Sequence, residues 1–186
     1  MANEFFDIVD ENDLPTGIQK PRSVAHRDGL WHRVIHVWIY NSRGEVLLQL
    51  RQKDKDTYPN VWDLSVGGHV TAGSSIIDAA KREVFEEVGL NLKESDLEFY
   101  GKKKSEKTPD GNIDSEYHYV YLLKYDGLFE NLKFQEEEIQ KIQFITLEDL
   151  EKNLKEHPEK YLPRGDYWTE MIGAIRGKMH EMGAPR

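Results

Sequence analysis

"GGHVTAGSSIIDAAKREVFEEVGL", residues 67–90, is the stretch whose reading decides the fold. Its apolar residues Ile77, Ala80 (beside Lys81), Val84 and Val88 recur at three- and four-residue steps, which predicts a helix over 75–88 with one buried stripe. Ser75 and Asp78 have the spacing of a capping box, with Asp in place of the usual Glu, and Gly89 suits a C-terminal cap. The difficulty is the acidic end. Glu83, Glu86 and Glu87 share one face, and each like-charged pair at that spacing costs a few tenths of a kcal/mol. The negative end of the helix dipole adds up to ~1 kcal/mol for each acid there. Arg82 offsets part of this, and a divalent cation offsets far more, because hard metals take carboxylate oxygens. A solvated acidic face is the commoner reason for such a run. The loop ahead of the helix argues otherwise: "SVGGHVTAGSS" carries three glycines, which let backbone carbonyls approach a metal or a phosphate closely.

The rest of the chain bounds the reading. Its 186 residues suit one domain over 1–186, with extra terminal elements, and 38% apolar residues with four tryptophans supply a sizeable core. The net charge of −9, with no long basic run, disfavours a nucleic-acid polymer as partner. It leaves room for a small phosphorylated substrate if a metal supplies the missing positive charge. The absence of cysteine excludes disulfides, thiolate metal sites and thiol nucleophiles. The acidic start "MANEFFDIVDEND" lacks a signal peptide's basic and apolar regions, and no apolar run approaches the ~18 residues of a membrane span. The expectation is a cytoplasmic protein without membrane contact.

Working outward, "FFDIVDENDLPTGIQKPR" reads as two short strands around a turn, and "WHRVIHVWIYNSRGEVLLQLRQ" as a hairpin turning at residues 41–44. Both faces of the latter's first strand are apolar or aromatic, which predicts a central strand. Further strands are expected near 97–104, 116–125 and 140–145, a helix begins at "TLEDLEKNLKEH", and a last helix runs from Asp166 to Met182. The apolar side of that last helix reads as core, with a homodimer contact as the lesser alternative. The sum is an α+β fold, a mixed sheet with helices packed on it, an N-terminal hairpin and a C-terminal helix.

Residues 68–90 resemble the Nudix box: Gly, five residues, Glu, seven residues, then Arg-Glu-aliphatic-any-Glu-Glu-any-Gly-aliphatic. The chain supplies Gly68 and Arg82-Glu83-Val84-Phe85-Glu86-Glu87-Val88-Gly89-Leu90. Six fixed matches arise by chance at about 10⁻⁷ per starting point, so the resemblance is specific. The resemblance implies the Nudix fold, with a mixed sheet between helices, and hydrolysis of a diphosphate in a small molecule with Mg²⁺ or Mn²⁺. Carried over by position, it implies Glu83, Glu86, Glu87 and the Gly68 carbonyl as metal ligands. Arg82 then orients Glu83, which binds metal or helps activate water. The pattern's first Glu is Ser74 here, which points to a change of substrate class or metal number rather than loss of activity. Glu137 and Glu138, in a late acidic loop, are reserve candidates for the base.

Residues 25–150 further resemble the type I isopentenyl diphosphate isomerases and their relatives. The likeness lies in His32 before "VWIYNSRGEVLL", in "PNVWDLSVGGHV" with His69, and in "DSEYHYVY" with Asp114 and Glu116. It implies a second metal site from His32, His69, Asp114 and Glu116, to which His26 belongs only after a one-residue shift. His36 and His118 read as structural, and His157 and His180 as incidental. The isomerases also need a cysteine directly before Gly-His, where this chain has Gly67, so an isomerase-like hydrolase is expected rather than an isomerase. A nucleotide sensor without turnover is the remaining alternative, supported by Ser74 alone. Arg51 and Lys53, at the end of a strand leading towards the box, are candidates for holding substrate phosphate, as is Lys102-Lys103-Lys104; solvated strand edges explain the lysines equally well.

Overall fold

The structure, a computed structural model, describes residues 4–55, 57–107, 113–181 and 183. The helix of the acidic stretch forms as α2, Ile76–Val88. The Ser75 side chain accepts from the Asp78 amide at its start, and Gly89 closes it in the left-handed region at φ 75°. Ala79, Ala80, Val84 and Val88 are buried against one face of a seven-stranded mixed sheet.

That sheet is built on β3, His32–Tyr40, whose residues are buried almost throughout. It needs hydrogen-bonded neighbours on both edges, and this decides its pairing. The turn at 41–44 joins it to β4, Glu45–Arg51, but the two strands pair only at Tyr40 and Val46. They then part, because β6, Val66–His69, takes one edge of β3, and β9, Ile139–Thr146, runs along β4. The expected hairpin is therefore two strands splayed from one turn. On its other edge β3 lies parallel to β8, Asp114–Lys124, which is flanked in turn by β7, Leu97–Lys107. The two-residue strand β5, Trp62–Asp63, pairs with β4.

Register carries the functional consequence. His32 lies opposite Glu116 on β8, Val34 lies opposite both His118 and His69, and His36 lies opposite Gly67. Side chains two apart on a strand share a face, so these histidines, Glu116 and Gly67 stand on one side of the sheet. Further along that face Trp38, Tyr40 and Leu122 pack under α3, Leu147–Glu156, and α4, Asp166–Glu181. The apolar side of α4 (Trp168, Met171, Ile172, Ile175, Met179) is buried in this second core, so it covers the chain's own sheet and not a partner. The expected last residue of that helix, Met182, lies outside the described residues. No helix among the described residues is long and apolar enough to cross a membrane.

The N-terminal pair β1, Phe5–Val9, and β2, Pro15–Pro21, forms a separate two-stranded sheet, followed by a short helix α1, Arg22–Arg27. This hairpin is held down by its turn. Asp13, at φ 67°, accepts from Arg33 at 2.7 Å, Lys102 at 2.7 Å and the Tyr119 hydroxyl, while the Glu11 carbonyl accepts from Lys104 and Tyr117. Lys102 and Lys104 are thus engaged in this clasp, and Lys103 pairs with Glu170 on α4. The lysine run serves packing between elements rather than phosphate.

Candidate functional site

The acidic end of α2 rests against β6. Gly68 is glycine for a steric reason: a Cβ there would overlap the Glu83 carboxyl. Arg82 lies 3.0 Å from Glu83 and 3.6 Å from Glu86, and it donates to the His69 carbonyl at 3.0 Å, fixing the turn that Glu83 occupies. Burial, against the pull of Arg82 and helped by the charge of Glu86, pushes the Glu83 carboxyl up to about 7. Glu87 is more deeply buried. Burial and the neighbouring Glu83 and Glu138 raise its pKa well above the usual carboxylate range, although the Gly67 amide donates to it. Its Oε2 is buried with no hydrogen-bond partner among the described residues. Two buried acids, one with an orphaned oxygen and no cation beside it, form a donor set that fits a hard divalent ion. Glu86 is half exposed at the rim. Ser74 is hydrogen-bonded at 2.9 Å to the Thr71 hydroxyl in the loop before the helix.

A second constellation lies at the end of β3. His26 and His32 stand with His69 so that one ring nitrogen from each lies within 4.8 Å of the others. The Nε2 atoms of all three are buried and without hydrogen-bond partners among the described residues. His32 Nδ1 donates to the Leu30 carbonyl at 2.8 Å, which leaves a lone pair on its inward nitrogen, and His26 Nδ1 lies 3.0 Å from an Asp114 oxygen. Glu116 completes the ring, 3.7 Å from the Nε2 atoms of both His32 and His69. Burial holds His32 and His69 below their ordinary pKa. Glu116 is held below its usual range although burial opposes this, through its hydrogen bond to His118 and the nearby imidazoles. Neutral imidazoles around an ionised carboxylate are the donor set that a divalent cation takes.

The sequence reading admitted His26 only after a one-residue shift and missed Phe6 altogether. His26 arrives through α1, whose turn absorbs the one-residue shift, and α1 is too short and too mixed in composition to show in a pattern search. Phe6, fully buried, stacks on His32 at 4.8 Å and on His69 at 4.6 Å, so the N-terminal hairpin forms a wall of the cluster. Asp114, expected among the ligands, stands behind His26.

Gly67 precedes Gly68 on β6 and lies opposite His36 on β3. Its amide reaches Glu87, and a Cβ built on it would meet only His36, Leu64 and the Ile35 carbonyl at 3.6–3.9 Å, ordinary contact. His36 is hydrogen-bonded to the Tyr167 hydroxyl at 3.0 Å and packs on His118 at 4.2 Å. Burial and the charges of His118, Arg164 and Lys107 keep it neutral. Arg51 donates to the Tyr58 and Thr57 carbonyls and lies 4.0 Å from Asp63. Lys53 is exposed in the turn after β4. Glu138 is paired with Lys55.

A family model described as NUDIX domain matches residues 30–165. Nudix hydrolase 3 of Arabidopsis thaliana is 35% identical over 175 residues, covering 90% of this chain but 23% of that protein, so this chain spans about a quarter of that relative's length. An isopentenyl-diphosphate Delta-isomerase of Pectobacterium atrosepticum is 28% identical over 155 residues, 83% of each chain. The crystal structure of DR0079 from Deinococcus radiodurans superposes with a TM-score of 0.68 at 23% identity, covering 92% of this chain and 99% of that one, a likeness of fold. With the family match reaching from β3 past β9, the chain belongs to the Nudix family, on the branch that resembles the isopentenyl diphosphate isomerases.

Proposed function

We propose that this chain hydrolyses a diphosphate linkage in a small organic molecule, with Mg²⁺ or Mn²⁺ held at the end of α2. The observation that carries the proposal is the buried pair Glu83 and Glu87, packed on Gly68 with an orphaned carboxylate oxygen. Glu83, Glu86, Glu87 and the Gly68 carbonyl are the residues that would hold the ion. Bound there, it supplies the positive charge that neutralises diphosphate oxygens and polarises water. The chain's own work is orientation. Arg82 bridges Glu83 and Glu86 while bonding the His69 carbonyl, so the acids stay in place although they repel one another. Glu83, oriented by Arg82, would either bind the ion or help to activate the attacking water. Arg51, which donates to the Tyr58 and Thr57 carbonyls, is the candidate for meeting phosphate charge.

His26, His32, His69 and Glu116 would hold a second cation. Three buried, unpartnered Nε2 atoms support this reading. Isomerase chemistry finds no support at Gly67, which has no side chain to exchange a proton with a substrate carbon. The test is phosphorus NMR of a diphosphate panel that includes isopentenyl diphosphate, with Mg²⁺ or Mn²⁺, on the wild type and Glu86→Gln. Cleavage in the wild type alone is expected. Full cleavage by Glu86→Gln, or a shifted double bond with the phosphates intact, would remove the proposal.

A further inference from the structure

We propose that Arg164 and Lys107 form an anion subsite beyond Gly67, so that the organic half of the substrate is polar and carries a negatively charged group of its own. This rests on the hydrolase reading for the reaction, but the subsite stands on separate residues.

Arg164 precedes α4 and reaches across to β5. Its Nε and Nη2 donate to the two oxygens of Asp63 at 2.7 and 2.9 Å, a bidentate pair in which both side chains are largely buried. A buried ion pair of this kind gains little over apolar packing of similar volume, because both charges lose their hydration. Anchoring the loop before α4 is thus a weak reason to keep it. The pair does position a cation. The Arg164 Nη1 has no hydrogen bond among the described residues, so the guanidinium is fixed through Nε and Nη2 with one donor group left over. Asp63 cannot neutralise its surroundings alone, since Arg51 also lies 4.0 Å from it. Lys107 enters from the end of β7. Its Nζ makes a long 3.5 Å contact to the Pro163 carbonyl, which sets the ammonium beside the residue that precedes Arg164.

The floor of this region is mainly polar, with Leu64 as its apolar member. Gly67 offers no side chain, and around it stand His36, His118 and the Tyr167 hydroxyl, which also accepts from Trp38 at 3.1 Å. A hydrocarbon tail placed here would strip water from two cations and several hydrogen-bonding groups without replacing their partners, which is costly. A phosphate ester or a carboxylate would meet an oriented guanidinium and an ammonium, the pairing those groups favour. Gly67 joins the two halves. Its amide contacts Glu87 of the acidic helix, and the place a side chain would take is in contact with His36 and Leu64.

The test uses organic diphosphates in matched pairs that differ by one anion: NADPH and NADH, coenzyme A and its 3′-dephospho form, UDP-glucuronate and UDP-glucose. Equilibrium binding with Mg²⁺ and kcat/KM are measured for each on the wild type, Lys107→Gln and Arg164→Lys. In at least one pair the charged member is expected to bind about tenfold more tightly or more, and both variants should lose that preference. Lys107 is partly exposed, so Lys107→Gln keeps the test valid if Arg164→Lys fails to fold. Equal behaviour within every pair, or a preference that survives in Lys107→Gln, overturns the subsite. Selective binding without turnover would uphold the subsite and remove the hydrolase reading. Turnover without selectivity would do the reverse.

Discussion

Removing the metal should leave a protein whose stability falls as the pH rises, and Glu83 sets the size of the effect. Burial lifts its carboxyl from 4.5 to about 7. Between those values the folded chain keeps a proton that the unfolded chain has released, so stability is greatest below pH 4.5 and is lost as pH climbs through 7. Each pKa unit is worth ~1.4 kcal/mol, giving a loss of about 3 kcal/mol across the window. For a chain of this length that is a drop of roughly 6–12 °C in Tm. The assay is urea unfolding in EDTA from pH 4.5 to 8, on the wild type and on Glu83→Gln, which cannot ionise. The difference between the two curves reports Glu83 together with its coupling to Glu87, and cancels the titrating groups that Glu83 does not touch. The wild type should lose about 3 kcal/mol more than the variant, and saturating Mg²⁺ or Mn²⁺ should remove that loss. Parallel curves in EDTA would show that Glu83 is not held in the buried, cation-deficient setting described above.

Other substitutions probe other joints. Glu86→Gln changes a half-exposed side chain, so Tm should stay within about 1 °C while kcat falls by at least ~10²; circular dichroism and steady-state rates separate the two. Gly68→Ala drives a methyl group into the Glu83 carboxyl and should cost about 1–3 kcal/mol with a large loss of metal affinity, read by calorimetry. Phe6→Ala empties the space between His32 and His69 and should cost about 3–5 kcal/mol in denaturant unfolding. Asp13→Asn weakens the clasp of the N-terminal hairpin by about 2–3 kcal/mol, and faster amide exchange confined to residues 5–21 would register it.

Periodicity made α2 legible, because a cap, an apolar stripe and a terminal glycine agreed on one helix. For α3 only a helical start was legible, and for α4 only its apolar side. The partition of strands was harder. A turn at 41–44 signals a hairpin, but nothing local says that β3 will take β6 and β8 as neighbours and leave β4 to β9. That outcome follows from β3 being buried on both faces, a property of the whole sheet. The acids of α2 were visible because a helix places them three and four apart. The histidine cluster was only half visible. His32 and His69 fall in recognisable stretches, whereas His26 depends on a six-residue helix and Phe6 on the docking of a hairpin through Asp13. Arg164 was out of reach altogether, since its partner Asp63 lies 101 positions away and the pairing exists only in the folded chain.

The most direct test of diphosphate hydrolysis is to run the reaction in ¹⁸O-labelled water and find the label by mass spectrometry of the products. Attack of water on phosphorus predicts one ¹⁸O in a single product phosphate, dependent on Mg²⁺ or Mn²⁺ and absent with Glu86→Gln. Products formed without label in any phosphate would contradict hydrolysis at phosphorus, and with it the role given to the acidic end of α2.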